Sequence, residues 1–507
     1  MTSTLQRQLL RAGTHGRTAP AGRMRPVPLW SAQTAPARDG RGAHVLADRA
    51  LTLALQRRAA DIDAAFAAIE PAIRAIVPMQ FESGFVERAR EELRARLDID
   101  VPAKDLHASW LRPLDTRALY AHCTLAVFCR LVERSYDGSA ASSSDGESVA
   151  SLIRRWGFHA VDITPCADGR LSGVVDYILR VPNAVVTSRK SYAGGLFDVD
   201  ETLRKWESVE LMRYREGVPN PATEQTRYLK IGVYHFSSSD PDRQGCAAHG
   251  NDAARAAGAV LQRLEQFEAA VRNVHGCAAC TATLLIGVDT DTDAIRMHVP
   301  DADGATSAAR YVDAAELYES TFACAREEAK DRIRDAVAEC AGVAPDDPAT
   351  EGMRWFCAFL VKNNIGQIDA VRSRYGGAYP DRGHTERLMV IGDPLDDVQL
   401  RNLAFQAQME TVEEHTFVLD IGVKILRSLH EPRGFAVPVL AHARYDERVP
   451  GSLERAQVRA LRLRSAVLAR FASLASSGLL HVHAAVRAGD GPLVEIVPAA
   501  ASTEFHA

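Results

Sequence analysis

Two cysteines and one histidine in the middle of the chain could together bind a metal ion. Cys166 follows a short apolar run at residues 159–163, His235 ends a second apolar run, and Cys246 lies eleven residues after His235. We expect both runs to be strands, and the loops that follow strands carry the functional groups of α/β folds. Thiolates and imidazoles are typical zinc ligands, and three protein ligands leave the fourth position for water, as in catalytic zinc sites. The pattern therefore predicts a zinc site that can carry out chemistry.

The loop after the first cysteine adds two charged groups. Asp168 and Arg170 alternate with single residues after Cys166, so a thiol, a carboxylate and a guanidinium share one loop. A short motif of this kind also arises by chance in a chain rich in arginine. Only its combination with the distant His235 and Cys246 makes it informative.

Other residues offer competing sites. His275, Cys277 and Cys280 have metal-like spacing, and a Cys-x-x-Cys pair can also be redox-active, although ordinary packing would explain them as well. His249 could replace His235 as a ligand, but its polar loop predicts exposure to solvent. His384 lies in a loop that could return to the site, where it would be either a proton shuttle or a plain surface histidine.

The composition excludes several classes of protein. The 507 residues include 47% hydrophobic and 25% charged residues and have a net charge of −5, which is ordinary for a soluble globular chain and gives no electrostatic case for nucleic-acid binding. No apolar run approaches the roughly 18 residues that a membrane span needs. The nine cysteines are an odd number spread thinly, which favours a reducing compartment over a disulfide framework.

The elements before the site divide into three parts. Residues 1–42 contain seven arginines against one acid together with several prolines, which predicts a disordered basic tail that could be a transit peptide, bind an acidic partner or have no role. Residues 43–143 form a helical domain, because apolar residues recur with a period near 3.6. A Ser- and Gly-rich linker at residues 137–146 ends it.

The remaining chain alternates strands and helices. We predict strands at residues 173–181, 228–234 and 281–288. Asn251 or Asp252 is expected to cap a long amphipathic helix that ends near Gly276.

The same order of elements recurs near the C-terminus. Strands are expected at residues 435–442, 479–486 and 493–498, with a helix at 453–476 between the first two. We interpret this as a diverged second copy in which His442 takes the place of His235. No cysteine lies after Cys357, so the second copy cannot form a thiolate zinc site.

The loop with Cys166, Asp168 and Arg170, followed by a distant histidine and a second cysteine, resembles the beta-type carbonic anhydrases. The common beta-type spacing is His-x-x-Cys, whereas ten residues separate His235 from Cys246 here. The longer spacing, the preceding helical region and the degenerate second copy are similar to the carboxysome shell carbonic anhydrases, a beta-related branch. The resemblance extends over about residues 43–507.

The resemblance implies the roles of the site residues. Zn²⁺ bound by Cys166, His235 and Cys246 would lower the pKa of its water and so supply a nucleophile for carbon dioxide. Asp168 would accept a hydrogen bond from that nucleophile and orient it. Arg170 would hold Asp168 in an ion pair and keep it from coordinating the metal.

The resemblance also implies an architecture and a setting. We expect an N-terminal helical domain, a zinc-bearing α/β domain at residues 144–388 and a zinc-free α/β copy at 389–507. The protein would hydrate carbon dioxide reversibly at the inner face of a carboxysome shell, as a homo-oligomer that supplies ribulose bisphosphate carboxylase. The tail at residues 1–42 would bind that enzyme or a shell protein. The alternatives are a non-catalytic structural protein with a closed zinc site and a thiol redox protein centred on Cys277 and Cys280.

Overall fold

The computed structural model describes residues 42–135, 148–215, 227–276, 281–348, 350–395, 398–413, 416–489 and 491–496. Residues 1–41 of the predicted tail lie outside these ranges, as do the predicted linker at 137–146 and both Cys277 and Cys280.

The described residues before 136 are helical, which confirms the predicted helical region. They form α1 (Arg49–Ala67), α2 (Ile69–Ile76), α3 (Phe85–Leu97) and α4 (Thr116–Ser135). The later helices are α5 (Val149–Arg155), α6 (Val199–Arg215), α7 (Pro241–Gln244), α8 (Ala253–His275), α9 (Ala314–Thr321), α10 (Arg326–Ala341), α11 (Glu351–Tyr375), α12 (Thr416–His430), α13 (Ser452–Arg470) and α14 (Ala472–Ser476).

Strands begin after the helical region and form two sheets. The strands are β1 (Phe158–Pro165), β2 (Ser188–Arg189), β3 (Arg227–Phe236), β4 (Thr281–Asp289), β5 (Ile295–His298), β6 (Val312–Asp313), β7 (Leu388–Gly392), β8 (Ala404–Gln408), β9 (Val437–Tyr445), β10 (Leu480–Ala488) and β11 (Val494–Glu495).

The two sheets share an order and direction of strands in the part of the chain that is described. The first sheet has the order β2-β1-β3-β4-β5-β6, and the second, taken from its β8 edge, has the order β8-β7-β9-β10-β11. The first four strands of each are parallel, and the next strand is antiparallel in both. Because the carboxyl ends of parallel strands meet at one edge, the loops after β1 and β3 are brought together.

Helix α8 illustrates how local sequence produces an element and its packing. The side chain of Asp252 accepts a hydrogen bond from the Arg255 amide at the start, and Gly276 ends the helix in the left-handed conformation, as the sequence predicts. Buried apolar residues recur along one face and pack against β3 and β4. Strands β3 and β4 are buried along most of their length, as expected for parallel strands covered on both faces.

The helical region covers one face of the second sheet. Leu388 and Val390 of β7 belong to the apolar cluster that contains the N-terminal helices. Met389 and Ile391 alternate with them and pack into the cluster that contains α12 and α13. Since successive side chains of a strand point to opposite faces, the second sheet lies between the helical region and its own helices.

The strand predicted at residues 173–181 is wrong. Val174–Ile178 form a single π-helical turn, in which the Ile178 amide donates to the carbonyl of Gly173, five residues back. A short apolar run has the same composition in a buried helical turn as in a buried strand, so its hydrophobicity alone does not distinguish them.

None of the helices in the described ranges is both long enough and apolar enough to cross a membrane.

The contact between the helical region and the second sheet can be tested at Phe435. Its ring stacks on Tyr120 of α4 with a centroid distance of 4.1 Å, and both side chains are buried. We expect Phe435→Ala to lower the free energy of unfolding by about 3 kcal/mol, because it leaves a cavity between the two parts. Phe417→Ala is the matched control, since 49% of Phe417 is exposed, and it should cost about 0.5 kcal/mol or less. Equal losses in urea unfolding followed by circular dichroism would contradict the packing argument.

Candidate metal centre

Cys166 lies directly after β1, where the sheet holds its backbone in place. It forms an isolated parallel bridge with Tyr192, and the Ala167 amide donates to the Tyr192 carbonyl at 3.0 Å. The amide of Gly194 donates to Sγ of Cys166 at 3.2 Å, which favours the thiolate form that binds metals. The sulfur therefore has a fixed position at the carboxyl edge of the first sheet.

His235 and Cys246 come to the same point from the next strand and its loop. The ligand atoms of Cys166, His235 and Cys246 all lie within 4.8 Å of one another. His235 lies near the end of β3, and Cys246 precedes the single helical turn Ala247–His249. All three side chains are buried. The structure thus brings together the three residues that the sequence singled out.

The contact between the two sulfur atoms favours loss of the proton from Cys166 and its retention on Cys246. A hydrogen bond from Cys246 holds the pKa of Cys166 well below its usual value despite burial. The same contact, with burial, raises the pKa of Cys246 well above its usual value. A bound cation would release this proton, because metals bind the thiolate form.

The residues present fit a zinc ion. The sulfur atoms of Cys166 and Cys246 are 4.0 Å apart, and two thiolates at zinc's ligand distance in a tetrahedral site lie about 3.8 Å apart. Within the described chain, neither buried ring nitrogen of His235 has a hydrogen-bond partner. Buried polar atoms are normally satisfied, so an imidazole of this kind needs an explanation such as a metal.

Asp168 and Arg170 form a buried, two-pronged ion pair beside these ligands. The guanidinium donates from Nη2 to Oδ2 of Asp168 at 2.7 Å and from Nε to Oδ1 at 3.0 Å. Burial disfavours the charged carboxylate, but the Arg170 charge outweighs burial and, with His384 and His235, holds the pKa of Asp168 well below its usual range. Oδ2 lies 3.5 Å from Nε2 of His235. Asp168 is therefore an anion that faces the ligand cluster.

Arg170 also connects the loops that carry the other site residues. Its Nη1 donates to the carbonyl of Gln244 at 2.7 Å, two residues before Cys246, and to the Thr290 hydroxyl at 3.3 Å. A longer contact of 3.4 Å reaches the carbonyl of Arg382, near His384. Only 1% of Arg170 is exposed, so these contacts account for most of its polar surface.

The second sheet supports the loop of Asp168 and Arg170 from outside. The amide of Asn402 donates to the carbonyl of Gly169 at 2.7 Å, and the Ser172 hydroxyl donates to the carbonyl of Ala404 at 2.9 Å. Residues more than 200 positions away along the chain thus hold the backbone of the loop that carries Asp168 and Arg170.

His384 lies beside Asp168, so the loop that carries it does return to the site. Its Nε2 lies 3.8 Å from Oδ2 of Asp168, and its side chain is 25% exposed. Burial lowers its basicity, but the carboxylates of Asp168 and Glu386 outweigh burial and raise the pKa of His384 above its usual value. The histidine therefore connects the buried carboxylate of Asp168 with solvent.

Glu386 is a member of the site that the sequence did not predict. Its buried carboxylate lies 2.7 Å from Nδ1 of His384 and accepts a hydrogen bond from the Gly169 amide. The only local signal is an acid two residues after His384 at the start of an apolar strand, where an exposed acid would look the same.

The predicted exposure of His249 is wrong. The side chain is 5% exposed, and its Nε2 lies 3.1 Å from the carbonyl of Gly194. A Cβ at position 194 would lie 2.5 Å from Nε2 of His249, and φ there is +68°, so only glycine fits. Polar neighbours in the loop suggested exposure, but the turn Ala247–His249 packs against the turn Ala193–Gly195.

His442 lies in β9, whose place in the second sheet corresponds to that of β3 in the first. It is fully buried, and burial lowers its pKa to about 4. Its Nδ1 lies 3.3 Å from the carbonyl of Asp393.

Comparisons with known proteins identify the family. Models of the carboxysome shell carbonic anhydrase match three consecutive segments: the N-terminal model matches residues 44–136, the catalytic-domain model 148–384 and the C-terminal model 385–499. Among curated relatives, the carboxysome shell carbonic anhydrase of Halothiobacillus neapolitanus is 41% identical over 464 residues, which cover 90% of each chain. The protein of the same name from Prochlorococcus marinus strain MIT 9313 is 41% identical over 451 residues, covering 88% of this chain and 87% of the relative.

A third protein of that name, from Hydrogenovibrio crunogenus, is 38% identical over 449 residues and covers 87% of this chain and 83% of its own. Identity of this level across nearly the whole chain leaves no ambiguity about ancestry, and the resemblance expected from the sequence is confirmed. The chain belongs to the carboxysome shell carbonic anhydrase family and is a carbonic anhydrase.

Proposed function

We propose that this protein interconverts carbon dioxide and bicarbonate at a zinc ion held by Cys166, His235 and Cys246. The observation that carries the proposal is the convergence of these three buried ligand atoms within 4.8 Å, with no hydrogen bond from either ring nitrogen of His235 to another described residue. Zinc at such a site lowers the pKa of a bound water and so supplies a nucleophile for carbon dioxide near neutral pH. In the described chain the cluster has three protein ligands rather than four, which favours catalysis over a closed structural site.

Asp168 and Arg170 prepare the site for that nucleophile. Asp168 is held as an anion, so it can only accept a hydrogen bond, and it selects the orientation of a donor next to it. Arg170 binds both carboxylate oxygens and therefore restrains Asp168 from turning toward the metal. The pair thus acts by positioning one acceptor atom.

His384 carries protons between the site and solvent in this proposal. Its imidazole is near Asp168 on one side and partly exposed on the other. The basicity of a histidine lies in the range where it can both accept and release a proton near neutral pH.

The two α/β parts are proposed to be copies of one ancestral unit. The matching order and direction of strands in the two sheets support this. The proposed domains are a tail at residues 1–42, a helical domain at 43–143, a zinc-bearing domain at 144–388 and a zinc-free copy at 389–507. No cysteine follows Cys357 in the sequence, so the second copy has no thiolate that could bind zinc.

The cellular setting follows from the family. The relatives are named for the carboxysome shell, and we propose that this protein also works inside a carboxysome, at the inner face of the shell. There it would act as a homo-oligomer and supply carbon dioxide to ribulose bisphosphate carboxylase. The arginine-rich tail would bind that enzyme or a shell protein through contacts with an acidic surface.

Removal of a ligand tests the metal site. Cys166→Ala, His235→Ala and Cys246→Ala should each lose zinc and carbon dioxide hydration, because two protein ligands are too few to retain the ion. Zinc content would be measured by mass spectrometry alongside hydration assays, with the wild-type protein treated with a chelator for comparison. Cys324→Ala, which removes a thiol outside the cluster, should keep both zinc and activity. A zinc-replete, active Cys246→Ala protein would contradict the assignment and direct attention to His249.

Arg170 should affect turnover rather than metal binding. Arg170→Ala is expected to keep zinc and to lose about 10- to 100-fold in turnover, the usual cost of losing a group that orients the site. Arg170→Lys restores the charge but not the two-pronged geometry, so it should recover only part of the activity. Wild-type rates in Arg170→Ala, with Asp168 unchanged in a crystal structure, would refute this role.

Deletion of residues 1–42 should leave zinc content and catalysis intact. The described chain is anchored directly after this segment, since the His44 amide donates to Asp369 at 2.9 Å and its ring contacts Thr321. Packaging into carboxysomes should fail, and binding of the isolated tail peptide should weaken steeply between low and physiological salt. Co-purification of the truncated enzyme with carboxysomes at the full-length level would show that the tail is not needed.

A further inference from the structure

Glu386 is a buried acid whose carboxylate lies in a group with Asp168 and His384, separate from the cluster of Cys166, His235 and Cys246. Its side chain is fully buried two residues before β7 begins, yet only one of its carboxylate oxygens has a hydrogen-bond partner among the described residues. Oε1 accepts from the Gly169 amide at 3.1 Å and lies 2.7 Å from Nδ1 of His384. Oε2 is buried with no hydrogen-bond partner among the described residues. Leaving a buried carboxylate oxygen unsatisfied costs stability, so the arrangement calls for another role.

The backbone of the loop that carries Asp168 and Arg170 is shaped around this side chain. A Cβ at Gly169 would lie 2.3 Å from Cγ of Glu386 and would collide with it. Gly169 stands between Asp168 and Arg170, so the loop can approach Glu386 only because position 169 has no side chain. Glu386 is therefore fixed against the loop that it contacts.

The same oxygen fixes the ring of His384. With Nδ1–H donated to Glu386, the other ring nitrogen of a neutral imidazole is an acceptor, and Nε2 is the atom that faces Oδ2 of Asp168 at 3.8 Å. A carboxylate that holds one ring nitrogen of a catalytic histidine in this way selects both its tautomer and its orientation.

We infer that Glu386 is a positioning residue for proton transfer, which holds His384 so that Nε2 faces Asp168 and the metal centre. The inference rests on the proposed shuttle role of His384. A proton that leaves the site is accepted at Nε2, giving an imidazolium whose Nδ1–H stays with Glu386. Nε2 then releases that proton to water or buffer at the exposed side of the ring, and the neutral imidazole is restored.

The charges around His384 favour this cycle. The anions of Asp168 and Glu386 face the ring and stabilise the imidazolium, while the Arg170 cation opposes them more weakly. Loss of the Glu386 charge should therefore make the imidazole a weaker base, and the proton-transfer profile should move to lower pH. Below the pKa of His384 the ring is already protonated and cannot accept a proton, so outward transfer should rise as the pH increases through that pKa.

The test is a double-mutant cycle of Glu386→Gln and His384→Ala in the full-length zinc protein. Glutamine keeps the size of the side chain and an oxygen for the Gly169 amide, so it removes the charge but preserves support of the loop. Glu454→Gln, on an exposed position of α13, is the matched control. Exchange of ¹⁸O between carbon dioxide and water at equilibrium reports interconversion of carbon dioxide and bicarbonate separately from the proton-dependent release of labelled water. Zinc content is measured for every variant.

The expected result is a several-fold slower release of labelled water in Glu386→Gln, with zinc content and interconversion within twofold of wild type. Its pH profile should shift downward, and added imidazole should restore release. His384→Ala should show a similar loss, and the double variant should be no slower than His384→Ala alone.

Four results would overturn the inference. If His384→Ala slows release but Glu386→Gln changes neither its rate nor its pH profile, the shuttle stands and Glu386 only supports Gly169. If Glu386→Gln slows release equally in the His384→Ala background, Glu386 acts through another group. Unchanged release in His384→Ala would instead remove the proposed shuttle, and with it this role of Glu386. Loss of zinc in Glu386→Gln would assign the residue to the metal loop and likewise overturn the inference.

Discussion

The buried ion pair of Asp168 and Arg170 is the interaction on which the site depends. A guanidinium that is 1% exposed must have its hydrogen bonds satisfied within the protein, and it does so by connecting the Asp168 loop with the chain before Cys246 and the chain before His384. One residue therefore sets the spacing of elements that belong to distant parts of the sequence. The Arg170 guanidinium thus both keeps Asp168 charged and holds the neighbouring loops in place.

The parallel sheet explains why the ligands can meet at all. Cys166 follows β1 and His235 lies near the end of the adjacent β3, so their separation is set by the distance between neighbouring strands and not by the chain between them. Cys246 needs only a short loop after β3 to reach the same edge. A spacing of ten residues between His235 and Cys246 is accommodated because α7 and the following turn occupy that loop.

The second sheet and the segments beside it support the loop that carries Asp168 and Arg170. Asn402 and Ala404 bind the backbone of the Asp168 loop, and Glu386 reaches it from the segment that enters β7. The helical region packs on the face of the second sheet that carries Leu388 and Val390, and so helps to hold those supporting residues in place. The site is thus completed by parts of the chain that lie outside the cluster of Cys166, His235 and Cys246.

The chemical groups of the site and several of the local elements that carry them could be predicted from the amino-acid sequence. The types and order of Cys166, Asp168, Arg170, His235 and Cys246 predicted a zinc-type site. Periodicity predicted the N-terminal helical region, helix α8 and strands such as β3 and β4, because such patterns depend on neighbours along the chain. The burial of His249, the helical turn within residues 173–181 and the contact of Glu386 with His384 depend instead on how distant segments pack. The Gly169 amide and Glu386 are 217 residues apart, so the residues that neighbour either one in the sequence do not indicate that they are in contact. This contact arises from the packing of one sheet against the loop of another, which only the folded chain specifies.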